Sequence, residues 1–213
     1  MKRFLFFLTV IALTAAVYGQ NQLPEHRFAT GSWSIRGERL YQDDARAPLA
    51  KVHIRSDQSG PMIWEFNARY ESGAEDGHGG FGLHVFGDSA FNRAAWGAGQ
   101  SWLLWLNYDE NPLNRNIQRG LSGQIYRSYS NSQMNLVASY DLNEYAQYLT
   151  DENLANPVPF RITVNGDTGE VRVYDPTDLS SYFSLQISGK LPIKGSWTAL
   201  RTNGMRMSFG DGF

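Results

Sequence analysis

Carboxylates and aromatic rings are the side chains of this 213-residue sequence that could do chemistry. Retaining glycoside hydrolysis needs two carboxyl groups about 5 Å apart, one as nucleophile and one as acid/base. Neighbouring same-face positions of a strand deliver that separation. Here the strand-like run Met62–Tyr70 carries Glu65, but Asn67 and Arg69 follow it on the same face. Glu71, Glu75 and Asp76 lie around Gly73 and Gly77, a loop-like composition. No single run supplies a pair, so catalysis would have to draw carboxylates from different strands, with Glu65 or Glu71 as candidates. Asp76, His78 and Asp109, beside Glu110 and Asn111, offer donors to a hard cation such as calcium. Asp and Asn are equally at home in turns, where they bond the local backbone.

Aromatics are the stronger signal. Sugar rings present flat C–H faces that stack on Trp and Tyr, and the chain has 6 Trp, 11 Tyr and 12 Phe. The Gly/Ala-rich stretch Phe91–Gln100 reads as a loop displaying Arg93 and Trp96. Trp105 falls on the face opposite Trp102, Leu104 and Leu106, with Asn107 beside it. It either lines a groove or packs under a covering helix or leader. His84 stands opposite its apolar neighbours and completes a candidate ligand-binding set of Trp96, Arg93, Trp105, Asn107 and His84. Other chemistries find no residues. There is no cysteine for a thiol nucleophile, iron–sulfur cluster or cysteine zinc site. No Gly-x-Ser-x-Gly elbow or phosphate loop occurs. Lys and Arg are scattered in a chain of formal net charge −2, which argues against nucleic acid as a partner.

The elements that must position these residues follow a period of two. Met62, Trp64, Phe66, Ala68 and Tyr70 share one face of a strand; Glu65, Asn67 and Arg69 share the other. Similar alternation marks residues 50–54, 81–86, 160–164, 183–187 and 205–209, with further strands near 33–41, 123–129, 134–140 and 197–201. Asn165–Gly169 between two such runs is a hairpin signal. Trp102–Tyr108 is apolar on both faces, as suits a strand covered on each side. Trp33, Trp64 and Trp197 are expected in the core. One helix is expected within Asp141–Asn153, opened by Asp141 with Glu144 three residues on and stopped by Pro157. About a dozen short strands and one short helix predict an all-β, two-layer antiparallel sandwich.

The N-terminus combines Lys2 and Arg3 with an apolar run from Phe4 to Val17 and small residues before Gln20. This reads as a signal peptide over 1–19, followed by a polar leader at 20–32 and a single domain at 33–213. The apolar run is short for a membrane span and no second one follows. The expectation is an exported protein, periplasmic or extracellular.

The order of strands resembles the concanavalin A-like lectin/glucanase superfamily, the jelly roll shared by laminin G-type modules. The resemblance rests on Trp33–Leu40 as an entry strand, Trp64–Tyr70, and Gly79–Phe86 with its spaced glycines. The Phe160–Gly166 and Val171–Tyr174 hairpin and the close at Leu200–Gly204 and Met207–Asp211 complete it. It implies a jelly roll whose concave sheet face carries a ligand groove, with calcium a common adjunct. It implies a non-catalytic module binding glycan or a cell-envelope partner; a glycoside hydrolase or lyase of the same fold and a structural envelope protein are the alternatives.

Overall fold

The computed structural model describes residues 24–210 except 92, 94 and 188, so the signal-peptide reading lies outside the described residues. Fourteen strands pair into two seven-stranded antiparallel sheets. One, here the front sheet, runs in the order β1 (His26–Thr30), β4 (Ala50–Gln58), β13 (Gly195–Asn203), β6 (His78–Gly87), β7 (Ser101–Asp109), β8 (Gly120–Ser128), β9 (Met134–Asp141). The back sheet runs β12 (Tyr182–Gln186), β11 (Glu170–Tyr174), β10 (Val158–Asn165), β5 (Pro61–Gly73), β14 (Met205–Gly210), β3 (Arg39–Gln42), β2 (Trp33–Arg36). The expected all-β sandwich is what the chain forms. No described helix is long and apolar enough to cross a membrane.

Alternation decides which residues enter the space between the sheets. Trp64, Phe66 and Ala68 of β5 face Leu83 and Val85 of β6, Ile162 and Val164 of β10, and Phe209 of β14, all buried in one cluster. Leu185, also expected there, is only partly buried because β12 is the edge strand of its sheet. Phe66 stacks on Phe160 at 5.5 Å, and Phe81 meets Phe160 edge-on at 5.1 Å. The two sheets are also joined by a buried hydrogen bond, Trp64 Nε1 donating to Thr198 Oγ1 at 3.1 Å.

Three expectations need revision. The leader stretch contributes β1, whose backbone pairs with β4 from His26 opposite Ile54 to Thr30 opposite Lys51. Residues 33–41 form a hairpin, not one strand, because Gly37 at φ +60° lets the chain turn between β2 and β3. Trp197 is buried as expected, covered by Arg27 and Arg55, whose guanidinium carbons sit 5.0 and 5.5 Å from its ring. The expected helix is a 3-10 helix at Asn143–Tyr148 and a single α turn, α1, at Asp151–Leu154. The 3-10 segment buries none of its residues, so no packed face holds it in a longer α-helix. Asp141 bonds the Asn143 N–H instead of capping it as a box.

Candidate functional site

Strand register assembles a side-chain surface on the face of the front sheet that points away from the core. One row across the strands reads Lys51, Arg201, Gly82, Trp105, Gln124 and Ser139. The row on one side reads Asn203, Gly80, Asn107, Ser122 and Asp141; the row on the other reads His53, Ala199, His84, Leu103 and Tyr126. The glycines are spatial requirements. A Cβ on Gly80 would lie 2.5 Å from Trp105 Cζ2, and one on Gly82 would collide with the Leu104 carbonyl. The bare backbone of β6 therefore lets the Trp105 indole lie down across it.

Arg201 covers that indole. Its guanidinium carbon is 5.0 Å from the Trp105 ring and 5.1 Å from the Trp96 ring, so it bridges two indoles by cation–π attraction. Trp96 belongs to the loop joining β6 to β7, which folds back over the sheet. Three successive carbonyls of this loop turn inward onto two cations. Lys51 Nζ donates to the Ala95 carbonyl at 2.6 Å and to that of Gly97, and Arg201 Nη1 donates to that of Trp96 at 2.9 Å. The loop's far end is bonded to the β8–β9 turn: Gly97 N–H to the Asn131 carbonyl, Gly99 N–H to Asn131 Oδ1, and Ala98 N–H to Ser128 Oγ. Its stem is closed by the Gln100 N–H on Asp88 Oδ1. With its carbonyl held down, the Trp96 ring stands out, 59 % exposed.

Beneath the loop the electrostatics are unusual. Lys51 is 1 % and Arg201 3 % exposed, and neither pairs with a carboxylate among the described residues. Burial, with the like charge of Arg201, pushes the Lys51 ammonium down to about 7. Burial likewise lowers Arg201 to about 10. His53 is pushed down to about 4 by burial, then by Lys51 and Arg27. His84 is held well below its ordinary value by burial, then by Lys51, Arg201 and His53. Both imidazoles are therefore neutral at pH 7. His84 Nδ1 lies 3.0 Å from Ser101 Oγ, while its Nε2 and His53 Nδ1 are buried with no partner among the described residues.

The residues singled out from sequence fall unevenly around this surface. Trp96 and Arg93 are exposed on the loop, and Asn107 is half-buried beside Trp105. Trp105 is 7 % exposed, forming the floor under Arg201, and His84 is fully buried beneath the loop, out of reach of a ligand. Asp76, His78 and Asp109 do come together: His78 Nε2 is 3.1 Å from Asp109 Oδ1 and its Nδ1 2.9 Å from the Asp76 carbonyl. Both ring nitrogens are thus engaged by oxygens, and no cluster of described residues is arranged to hold a metal ion. Glu65 and Glu71 lie on the outward face of the back sheet, six residues apart along β5, which is roughly 20 Å and far beyond catalytic pairing. Glu65 is paired with Arg161, and Glu71 with Arg69 and Ser208. An apolar cavity of about 100 Å³ lies between the sheets, lined by residues such as Phe81, Leu104 and Phe160. Its wall offers little to orient a hydroxylated ligand.

Sequence reasoning passed over Arg201, Lys51 and Asn203. The signal that would have found them is the glycine alternation at 80 and 82, since glycine inside a strand marks a close approach of other groups.

No known family profile matches the chain, and no curated protein matches it in sequence. Solved structures do match its fold. A carbohydrate-binding module, CBM66 from Bacillus subtilis, superposes with a TM-score of 0.56 at 11 % identity, over 89 % of this chain and 94 % of that one. The CBM2 module of the evolved Dit of Lactobacillus casei BL23 phage J-1 gives 0.50 at 14 %, over 85 % and 77 %. A Bacillus subtilis protein of unknown function with a galectin-like fold gives 0.50 at 14 %, over 88 % and 86 %. The chain thus has a jelly-roll sandwich of the lectin type.

Proposed function

We propose that this chain is an exported, non-catalytic glycan-recognition module of concanavalin A-like type, binding on the outward face of its front sheet. The observation that carries this reading is Trp96. A large ring kept 59 % exposed costs solvation, and here it is held out by its own backbone carbonyl on a buried guanidinium. On the same face lie Asn107, Asn203 and Tyr126, neighbours of Trp105 and Arg201 in the strand register and able to bond hydroxyls. A sugar ring stacks on the free face of Trp96, its hydroxyls meeting these amides and the phenol. The likeness in fold to modules titled carbohydrate-binding supports the same reading. Calcium, if bound, has its best donors at Asp76 and Asp109, at the end of the same face.

The test is a glycan array with the mature chain and its Trp96→Ala variant, with and without calcium. Retained signal with Trp96→Ala moves the site elsewhere. A blank array favours a structural role with an envelope protein as partner. Turnover of a polysaccharide lost in Glu65→Gln or Glu71→Gln moves the chain to the hydrolases.

A further inference from the structure

We infer that the glycan taken by this face is acidic, its carboxylate or sulfate received at a subsite made by Arg201, Asn203 and Asn107. This rests on the glycan reading and adds the charge of the ligand.

The argument is one of hydrogen-bond inventory. Trp105 Nε1 and Arg201 Nε can only donate. The first donates to Asn107 Oδ1 at 3.0 Å and the second to Asn203 Oδ1 at 3.1 Å. The orientation of both amides is thereby fixed: each oxygen turns to the floor and each Nδ2 amino group is left to face outward. Arg201 Nη1 already serves the Trp96 carbonyl, whereas Nη2 has no partner among the described residues. Asn203 and Asn107 are in register, separated only by Gly80, which has no side chain to intervene. Arg201, 3 % exposed at the surface, and the two amides of the neighbouring row thus offer donors only, on the face that carries the Trp96 ring.

No acid among the described residues balances them. The charged groups acting on Lys51 and Arg201 are cations or the Tyr126 phenol. Of the described carboxylates on this face, Asp109 lies two residues along β7 from Asn107 and is held by His78, and Asp141 lies two strands beyond Asn107 and bonds the Asn143 N–H. A neutral sugar presents hydroxyls that donate as well as accept and would leave a buried cation without a counter-charge. A carboxylate or sulfate ester accepts from all three groups and supplies that charge.

The experiment uses an array pairing acidic oligosaccharides with neutral counterparts: oligogalacturonate beside its methyl ester, and sulfated chondroitin beside the desulfated chain. Inorganic sulfate serves as a competitor. The best acidic binder is then titrated calorimetrically against the wild type and Asn203→Asp. That variant keeps an oxygen for Arg201 Nε, so the floor stays bonded, but replaces a donor by a negative charge. Expected are at least tenfold tighter binding of the acidic member than of its neutral counterpart, weakening on going from 50 to 500 mM salt, and at least a tenfold loss in Asn203→Asp with a melting temperature no lower than that of the wild type. Displacement of the acidic binder by excess inorganic sulfate, but not by an equal ionic strength of chloride, supports the subsite; no displacement overturns it. Equal binding of the acidic and neutral members, or neutral members alone, overturns the acidic subsite and leaves the glycan reading standing. Unchanged affinity in Asn203→Asp also overturns it. Binding to no member overturns both.

Discussion

The two outward faces of the sandwich hold most of their basic residues differently, with Arg55 beside Asp57 on the front sheet and Arg39 on Ser208 at the back as exceptions. On the back sheet the arginines sit beside carboxylates in solvent: Arg69 with Glu71, Arg161 with Glu65, Arg172 with Glu170, and Arg36 with Asp43 near the sheet's edge. On the front sheet Lys51 and Arg201 are buried, pair with no carboxylate among the described residues, and donate to loop carbonyls and an amide. Exposed pairs contribute little to stability and keep a sheet face soluble. A buried cation held by neutral acceptors is expensive to retain, and its retention marks the face with a task.

The sharpest way to break this comparison is acid. His53 is 1 % exposed and keeps a folded-state value of about 4 against an ordinary 6.5, so the unfolded chain binds the extra proton first. Stability should therefore be intact above pH 6.5 and fall as pH drops towards 4, by about 3 kcal/mol from His53 alone. His84 adds in the same direction. Lys51 works at the other end: its folded value of about 7 against 10.5 makes stability rise as pH climbs between those values. Urea unfolding at a series of pH values reads both slopes, and a flat profile from pH 7 to 4 would show that the histidines are not sealed.

Next in size is a paired truncation. Arg201→Ala should cost about 2–4 kcal/mol, since it leaves the Trp96 carbonyl and Asn203 unpaired and opens the space between two indoles. Arg161→Ala on the other face should cost less than about 1 kcal/mol. Equal losses by equilibrium unfolding would erase the distinction between the faces. Trp96→Ala should leave stability within about 0.5 kcal/mol, because the ring is largely in water, while weakening a bound glycan at least tenfold, or about 1.4 kcal/mol. The smallest effects belong to Glu65→Gln and Glu71→Gln, which should leave glycan affinity within about a factor of two to ten in the same titration.

How far each face could be read from sequence also differs. The Met62–Tyr70 alternation assigns both sides of β5, and the two-sided apolar character of 102–108 correctly separates Trp102, Leu104 and Leu106 from Trp105 and Asn107. The Phe91–Gln100 composition shows that Trp96 is on a loop. What alternation does not reveal is which outward positions a loop will later cover. Lys51 looks like an ordinary outward residue of its strand, and the return of residues 95–97 ties their carbonyls over it. β1 was illegible for a related reason: it joins the sheet through backbone pairing with β4, and its half-exposed residues carry no apolar period.

The placement of the tryptophans makes the chain its own optical instrument. Among the six, Trp33, Trp64, Trp102, Trp105 and Trp197 are each no more than 9 % exposed, whereas Trp96 is 59 %. A collisional quencher dissolved in water therefore extinguishes emission from one indole and spares the other five. That indole sits on the loop whose carbonyls are tied to the floor, so the quenchable fraction of the fluorescence reports on whether that one segment is seated, lifted or shielded. No label has to be attached to see it.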